Sequence, residues 1–166
     1  MIEKILAQDQ LILIKVNKSF RCSFFNFLMP KLTYLGSVQF CILLSIFAII
    51  NINSPQKLLI SLICSTIICH IIKVSVCRLR PFLVIKDLYI NKIGIDRYSF
   101  PSGHTTAAFS IATSFCFISP HFSVIYISMA VIVGFSRLYL GVHYITDVFI
   151  GMLIGTVITY LLNVNM

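Results

Sequence analysis

The sequence predicts an all-α, integral-membrane helical bundle of about five transmembrane helices, preceded by an N-terminal interfacial helix. Three observations predict it. Hydrophobic residues make up 58% of the chain and charged residues 11%, well below the roughly 25% charge of an average soluble domain. A helix needs about 20 residues to cross a bilayer, and stretches of that length free of charge lie between Lys31 and Lys57 and between Arg97 and Arg137. The remaining charges gather in short islands at the ends of such stretches. With 166 residues, the chain reads as a single domain, 1–166.

Each element follows from these breaks. Residues 1–31 form an interfacial amphipathic segment, because apolar Ile5, Leu6, Leu11, Ile12, Leu13 and Val16 are interrupted by Gln8, Asp9 and Lys15; 20–31 is either a second interfacial piece or an early turn of the first span. The opening residues lack the charged region and clean apolar run of a secretory signal, so they are expected in the mature chain. The bundle covers 33–163. Its first span fits near 33–52, and Asn51, Asn53 and Pro55 supply a turn. The second fits near 57–78. Two more, near 103–118 and 122–138, are divided by Ser119-Pro120-His121, and the last lies near 143–163. The loop 82–100 mixes Phe82, Leu83, Val84, Ile85 and Tyr89 with Lys86, Asp87, Lys92, Asp96 and Arg97, which reads as a cap on the membrane surface.

Thirteen lysines and arginines against five acids give a net +8. In a soluble chain this would raise nucleic acid as a partner, but here the cations flank apolar spans and face the bilayer, so no nucleic-acid partner is expected. The six cysteines form no CxxC pair, and they read as small buried hydrophobes rather than a zinc or redox set.

Three islands carry the chemistry. The first is Lys73 to Arg80-Pro81. Seven apart, the two cations would project from nearly one helical face, about 10 Å apart along the axis, with Pro81 ending the helix. Alone, they read more simply as side chains snorkelling to head groups. The second is Pro101-Ser102-Gly103-His104. Ser102 suits an N-cap, Gly103 permits close backbone approach, and free N–H groups at a helix start bind phosphate. The third is Ser136-Arg137, then His143 and Asp147. His143 and Asp147 are one turn apart, so the carboxylate can accept the imidazole Nδ1–H and leave Nε2 as a lone-pair donor. Arg137 offers a planar fork to phosphoryl oxygens. A metal pair is the competing reading, but no HExxH or carboxylate cluster accompanies it. Alternating span directions put all three islands on one face of the membrane.

The chain is identified as resembling the type-2 phosphatidic acid phosphatase superfamily of integral-membrane lipid phosphatases. The resemblance rests on K-x6-RP at 73–81, PSGH at 101–104 and S-R-x5-H-x3-D at 136–147, in order and spacing. It implies that His143 attacks phosphorus to give a phosphohistidine, with Asp147 orienting it. It further implies that His104 protonates the leaving oxygen and then activates water. Lys73, Arg80, Ser102, Gly103 and Arg137 are implied to hold the phosphoryl oxygens. No metal or other cofactor is implied.

The expected substrate is a membrane lipid phosphate or diphosphate. The short chain and minimal loops resemble bacterial undecaprenyl pyrophosphate phosphatases, with phosphatidylglycerophosphate or phosphatidic acid as alternatives. A lipid phosphotransferase would use the same phosphohistidine. A non-catalytic lipid transporter would not need every one of these positions filled. Lys57 alone of the thirteen cations lies away from the site face, which by the positive-inside rule would make that face cytoplasmic. The bacterial relatives imply the extracytoplasmic face of the plasma membrane, and that placement is preferred. Gly151 and Gly155 read as helix packing within the bundle, with dimerisation as the minor alternative.

Overall fold

A computed structural model describes residues 2–52, 54–91 and 96–166. Among these residues eight α-helices follow in order: α1 (Ile2–Ser19), α2 (Ser23–Leu32), α3 (Val38–Asn51), α4 (Gln56–Val76), α5 (Pro81–Val84), α6 (Gly103–Ile118), α7 (Ser123–Tyr139) and α8 (Ile145–Asn165). Among the described residues three stretches are long and apolar enough to cross a membrane, Gln56–Val84, Pro120–Tyr139 and Ile145–Asn165. The protein is a multi-pass membrane protein of helical-bundle architecture.

The first predicted span, 33–52, is not one straight helix. Ser23–Gly36 and Val38–Asn51 meet at 53°. Ser37 is extended there, and its Oγ accepts the N–H of Phe40 at 3.2 Å, so a fresh N-cap starts α3. Gly36 fixes the bend, because a Cβ on it would lie 2.5 Å from the carbonyl oxygen of His104. Asn53, assigned to the following turn, lies outside the described residues, as do 92–95 of the loop 82–100. That loop opens in the helical turn Pro81–Val84.

Helix α6 is the centre of the bundle. Thr105, Thr106, Ala107, Ala108, Phe109, Ser110, Ala112, Thr113 and Ser114 are all buried, so this helix is enclosed nearly all round. Its small side chains let neighbours approach closely. A Cβ on Gly151 would meet the Ser102 carbonyl oxygen at 2.7 Å, and one on Gly155 would meet that of Thr106 at 2.4 Å. The GxxxG pair is therefore occupied by α6 of the same chain. The hydroxyls of Ser110 and Thr159 pair at 2.8 Å across this contact. Outward-facing Phe47, Ile50, Ile63, Val124 and Leu161 stay exposed, as a lipid-facing surface requires.

Helix α1 departs from a simple amphipathic reading. Its inward stripe is Asp9, Leu13 and Asn17, each at most 2% exposed. The two polar members are tolerated because they are bonded. Asn17 donates to the carbonyls of Tyr89 (3.0 Å) and Tyr139 (2.9 Å). The cysteines also differ from expectation: Cys69 is buried, whereas Cys22 and Cys77 are exposed and the other three half-buried.

Candidate active site

The lysine and the arginine do not share a helix. Helix α4 ends at Val76, and Cys77 closes it in the left-handed region (φ 52°), giving its N–H to the Lys73 carbonyl. The chain then runs extended to Arg80, as a residue before proline prefers. Ser99 holds this strand-like segment, its N–H bonding the Arg78 carbonyl at 2.9 Å. The two cations nevertheless converge on one carboxylate. Lys73 Nζ lies 2.8 Å from Asp96 Oδ2, and Arg80 Nη2 pairs with Asp96 Oδ1. Burial works to raise the pKa of Asp96, but the Lys73 ammonium and then the Arg80 guanidinium outweigh it and hold the carboxyl below its usual range.

Arg80 also orders the nucleophilic candidate. Its Nη1 donates to the Val142 carbonyl at 2.8 Å and lies 3.3 Å from His143 Nε2. A guanidinium is donor only, so Nε2 must present its lone pair and the ring proton belongs on Nδ1. Nδ1 faces Asp147 Oδ2 at 3.4 Å, an oxygen that also accepts the Tyr144 N–H at 2.9 Å. His143 is 1% exposed. Burial, then the charges of Arg137, Arg80 and Lys73, push its pKa well below the ordinary histidine value, against a weaker pull from Asp96. The contact to Asp147 is accordingly a hydrogen bond donated by the Nδ1–H of a neutral imidazole to the carboxylate rather than an ion pair.

Ser102 is the N-cap of α6, its Oγ accepting from the Thr105 N–H at 3.5 Å and the Thr105 hydroxyl at 2.9 Å. Its own N–H donates to the Asp147 carbonyl at 3.0 Å, which joins the second island to the third. Gly103 faces open space: a Cβ there would meet nothing within 4 Å. His104 Nε2 is buried with no hydrogen-bond partner among the described residues. Lys73, Arg80, Gly103, His104 and His143 all line one cleft of about 860 Å³, whose remaining walls are largely apolar residues of α3 and α4. Ser102 and Arg137 do not line it. Both are fully buried, and Arg137 Nη1 donates to Thr33 Oγ1 at 2.8 Å. Among the described residues no three His, Cys, Asp or Glu side chains are grouped as metal ligands.

Three residues of the site escaped the motif reading. Asp96 bridges the two cations, Arg78 donates to Asp147, and Asp9 of α1 pairs with Arg78. For the two acids among them a signal existed. The chain has only five acids, and each carboxylate near lipid needs a partner, so each was a candidate for the far end of a buried cation.

The sequence profile described as the PAP2 superfamily matches residues 55–166. The chain is 33% identical over 105 residues to an undecaprenyl-diphosphatase of Sulfolobus acidocaldarius, covering 63% of this chain and 51% of that protein, so it spans about half the length of that relative. Among solved structures it is similar to LpxE of Aquifex aeolicus, with a TM-score of 0.84 and 28% identity over 92% of this chain and 93% of the other. It is also similar to a transmembrane PAP2-type phosphatidylglycerolphosphate phosphatase of Bacillus subtilis. That match has a TM-score of 0.79 and 25% identity, over 96% and 85% of the two chains.

Proposed function

The chain belongs to the PAP2 superfamily, and from that premise we propose that it is a membrane lipid phosphatase working through a phosphohistidine on His143. The observation that carries the reading is the placement of the His143 imidazole. Arg80 requires a lone pair on Nε2, the Asp147 carboxylate faces Nδ1, and the cleft opens toward apolar walls.

In the first step, the Nε2 lone pair attacks phosphorus while the bond from phosphorus to the lipid-side oxygen breaks, and His104 gives that oxygen a proton. The imidazole becomes cationic, and Asp147 stabilises it. In the second step, water loses a proton to His104 and attacks phosphorus. The phosphorus–nitrogen bond breaks, and phosphate leaves. Lys73 and Arg80 balance the charge on the phosphoryl oxygens throughout, with Gly103 leaving room at the start of α6. Ser102 and Arg137 are buried behind the cleft wall, which favours support over direct contact: Ser102 caps the helix that carries His104, and Arg137 adds positive field behind His143.

The substrate is a lipid phosphate or diphosphate, ranked with a polyprenyl diphosphate such as undecaprenyl pyrophosphate first. The similarity to an undecaprenyl-diphosphatase favours it, and phosphatidylglycerophosphate follows from the Bacillus similarity. In this reading the site works on the extracytoplasmic face of a bacterial plasma membrane. Several cations that would count toward a cytoplasmic placement are bonded to protein acceptors here: Lys73, Arg78 and Arg80 to carboxylates, and Arg21 to the carbonyls of Tyr89 and Tyr139. Phosphate release from a panel of lipid phosphates, with and without chelator, tests the assignment. Purified protein should act on at least one, and His143→Ala should lose activity by about a thousandfold or more. Undiminished turnover in that variant would rule out the nucleophile. Loss with chelator that a divalent metal restores would rule out the metal-independent route.

A further inference from the structure

We infer that Asp9 and Arg78 are positioning residues for His143, acting through Asp147, and that α1 thereby belongs to the catalytic apparatus. The inference rests on the reading of His143 as nucleophile. Arg78 is the bridge. Its Nη1 lies 2.7 Å from Asp147 Oδ1 and 2.7 Å from Thr146 Oγ1, and its Nη2 lies 2.8 Å from Asp9 Oδ2. The guanidinium lies over the Tyr144 ring, 3.9 Å from its centre. Asp9 completes the cluster by accepting the Thr146 N–H at 3.1 Å and the Thr146 hydroxyl. Asp9 is 2% exposed and Asp147 fully buried.

Two consequences follow from this geometry. The first is orientation. A carboxylate turns freely about its last bond, so the direction of Oδ2 toward His143 is set by the Tyr144 N–H on Oδ2 together with Arg78 on Oδ1. A planar guanidinium fixed at both ends holds it far better than a single point charge. The second is charge. Arg78 paired with Asp147 alone would be neutral, leaving little negative charge for the imidazolium that forms when Nε2 bonds phosphorus. With Asp9 as a second carboxylate, the cluster carries one net negative charge beside His143. In a low-dielectric site that charge favours the phosphorylated, cationic imidazole. Asp9 lies outside the matched family region 55–166, so this contribution comes from the part of the chain that the motifs leave unread.

The test is single-turnover phosphorylation of His143 by farnesyl diphosphate radiolabelled on its terminal phosphate, in detergent. Asp9→Asn keeps the side-chain shape, removes the charge and turns one of the two acceptor oxygens into an NH2 donor, so Asp9→Glu is run beside it as the charge-keeping control. Asp9→Asn should slow phosphoenzyme formation about tenfold with KM within about twofold of wild type, the pattern of an interaction made in the transition state. In an Asp147→Asn background the same change should cost less than about twofold, because the two act as one unit. Arg78→Lys should behave like Asp9→Asn. Melting temperatures in the same detergent separate these effects from misfolding; if Asp9→Asn melts below the assay temperature, Asp9→Glu, which keeps the charge, should retain a near wild-type rate. An equal loss in both backgrounds, or a raised KM at unchanged phosphorylation rate, overturns the inference. Persistent phosphorylation in His143→Ala would instead strike the nucleophile assignment itself.

Discussion

Asp96 holds Lys73 and Arg80, the two side chains assigned to the phosphoryl oxygens, with its two carboxylate oxygens. A carboxylate and a phosphoryl group present similar oxygens to such donors, so substrate and Asp96 compete for them. Asp96→Ala should therefore tighten inhibition by inorganic phosphate, by about fivefold to tenfold in inhibition constant; an unchanged constant would show that Asp96 leaves the donors at no cost. His143 supplies a second test at this scale. Its burial and three nearby cations lower its pKa, so the neutral ring persists as pH falls through the ordinary histidine value near 6.5. A heteronuclear NMR titration, with the His143 signal assigned by its loss in His143→Ala, should show no protonation between about pH 7.5 and 5.5. A midpoint near 6.5 would contradict the environment described.

Among the elements, α6 and α8 set the site's frame, because the Ser102 N–H bonds the Asp147 carbonyl and the glycines of α8 lie against the backbone of α6. Gly155→Ala would place a methyl 2.4 Å from the Thr106 carbonyl oxygen. The helices must part, at a cost of about 1–3 kcal/mol, visible as a lowered melting temperature in detergent; an unshifted melt would mean that the two helices have slack. The positions of α4, α6, α7 and α8 were legible because charge-free runs and turn residues mark them. The bend at Ser37 was not, since it arises from Gly36 meeting the carbonyl of His104, a contact 68 residues away in sequence. The end of α4 was misread for a related reason. Lys73 and Arg80 have helical spacing, but the pairing of Ser99 with Arg78 pulls the chain straight.

Across the molecule, what the sequence revealed and what it hid divide by range. The histidines, Lys73, Arg80 and Asp147 stand in short motifs, whereas Asp9 meets Thr146 across 137 positions and Arg78 meets Asp147 across 69, pairings with no periodic signature. The bundle also builds what no motif encodes, a cleft against α3 and α4 whose lining includes Lys73 and His143 together with Ile42, Ile46, Ile49 and Ile63. A lipid phosphate fits this polarity, with its head at the cations and its tail along the isoleucines. Ile46→Trp would fill part of the tail path without touching the polar end. Excluding about two methylenes costs about 1.6 kcal/mol at about 0.8 each, so KM for a long-chain polyprenyl phosphate should rise on the order of tenfold. A short, water-soluble phosphate ester should be cleaved with unchanged kcat and KM by the same variant. Equal effects on both substrates would place the tail elsewhere and leave the cleft without a role in lipid binding.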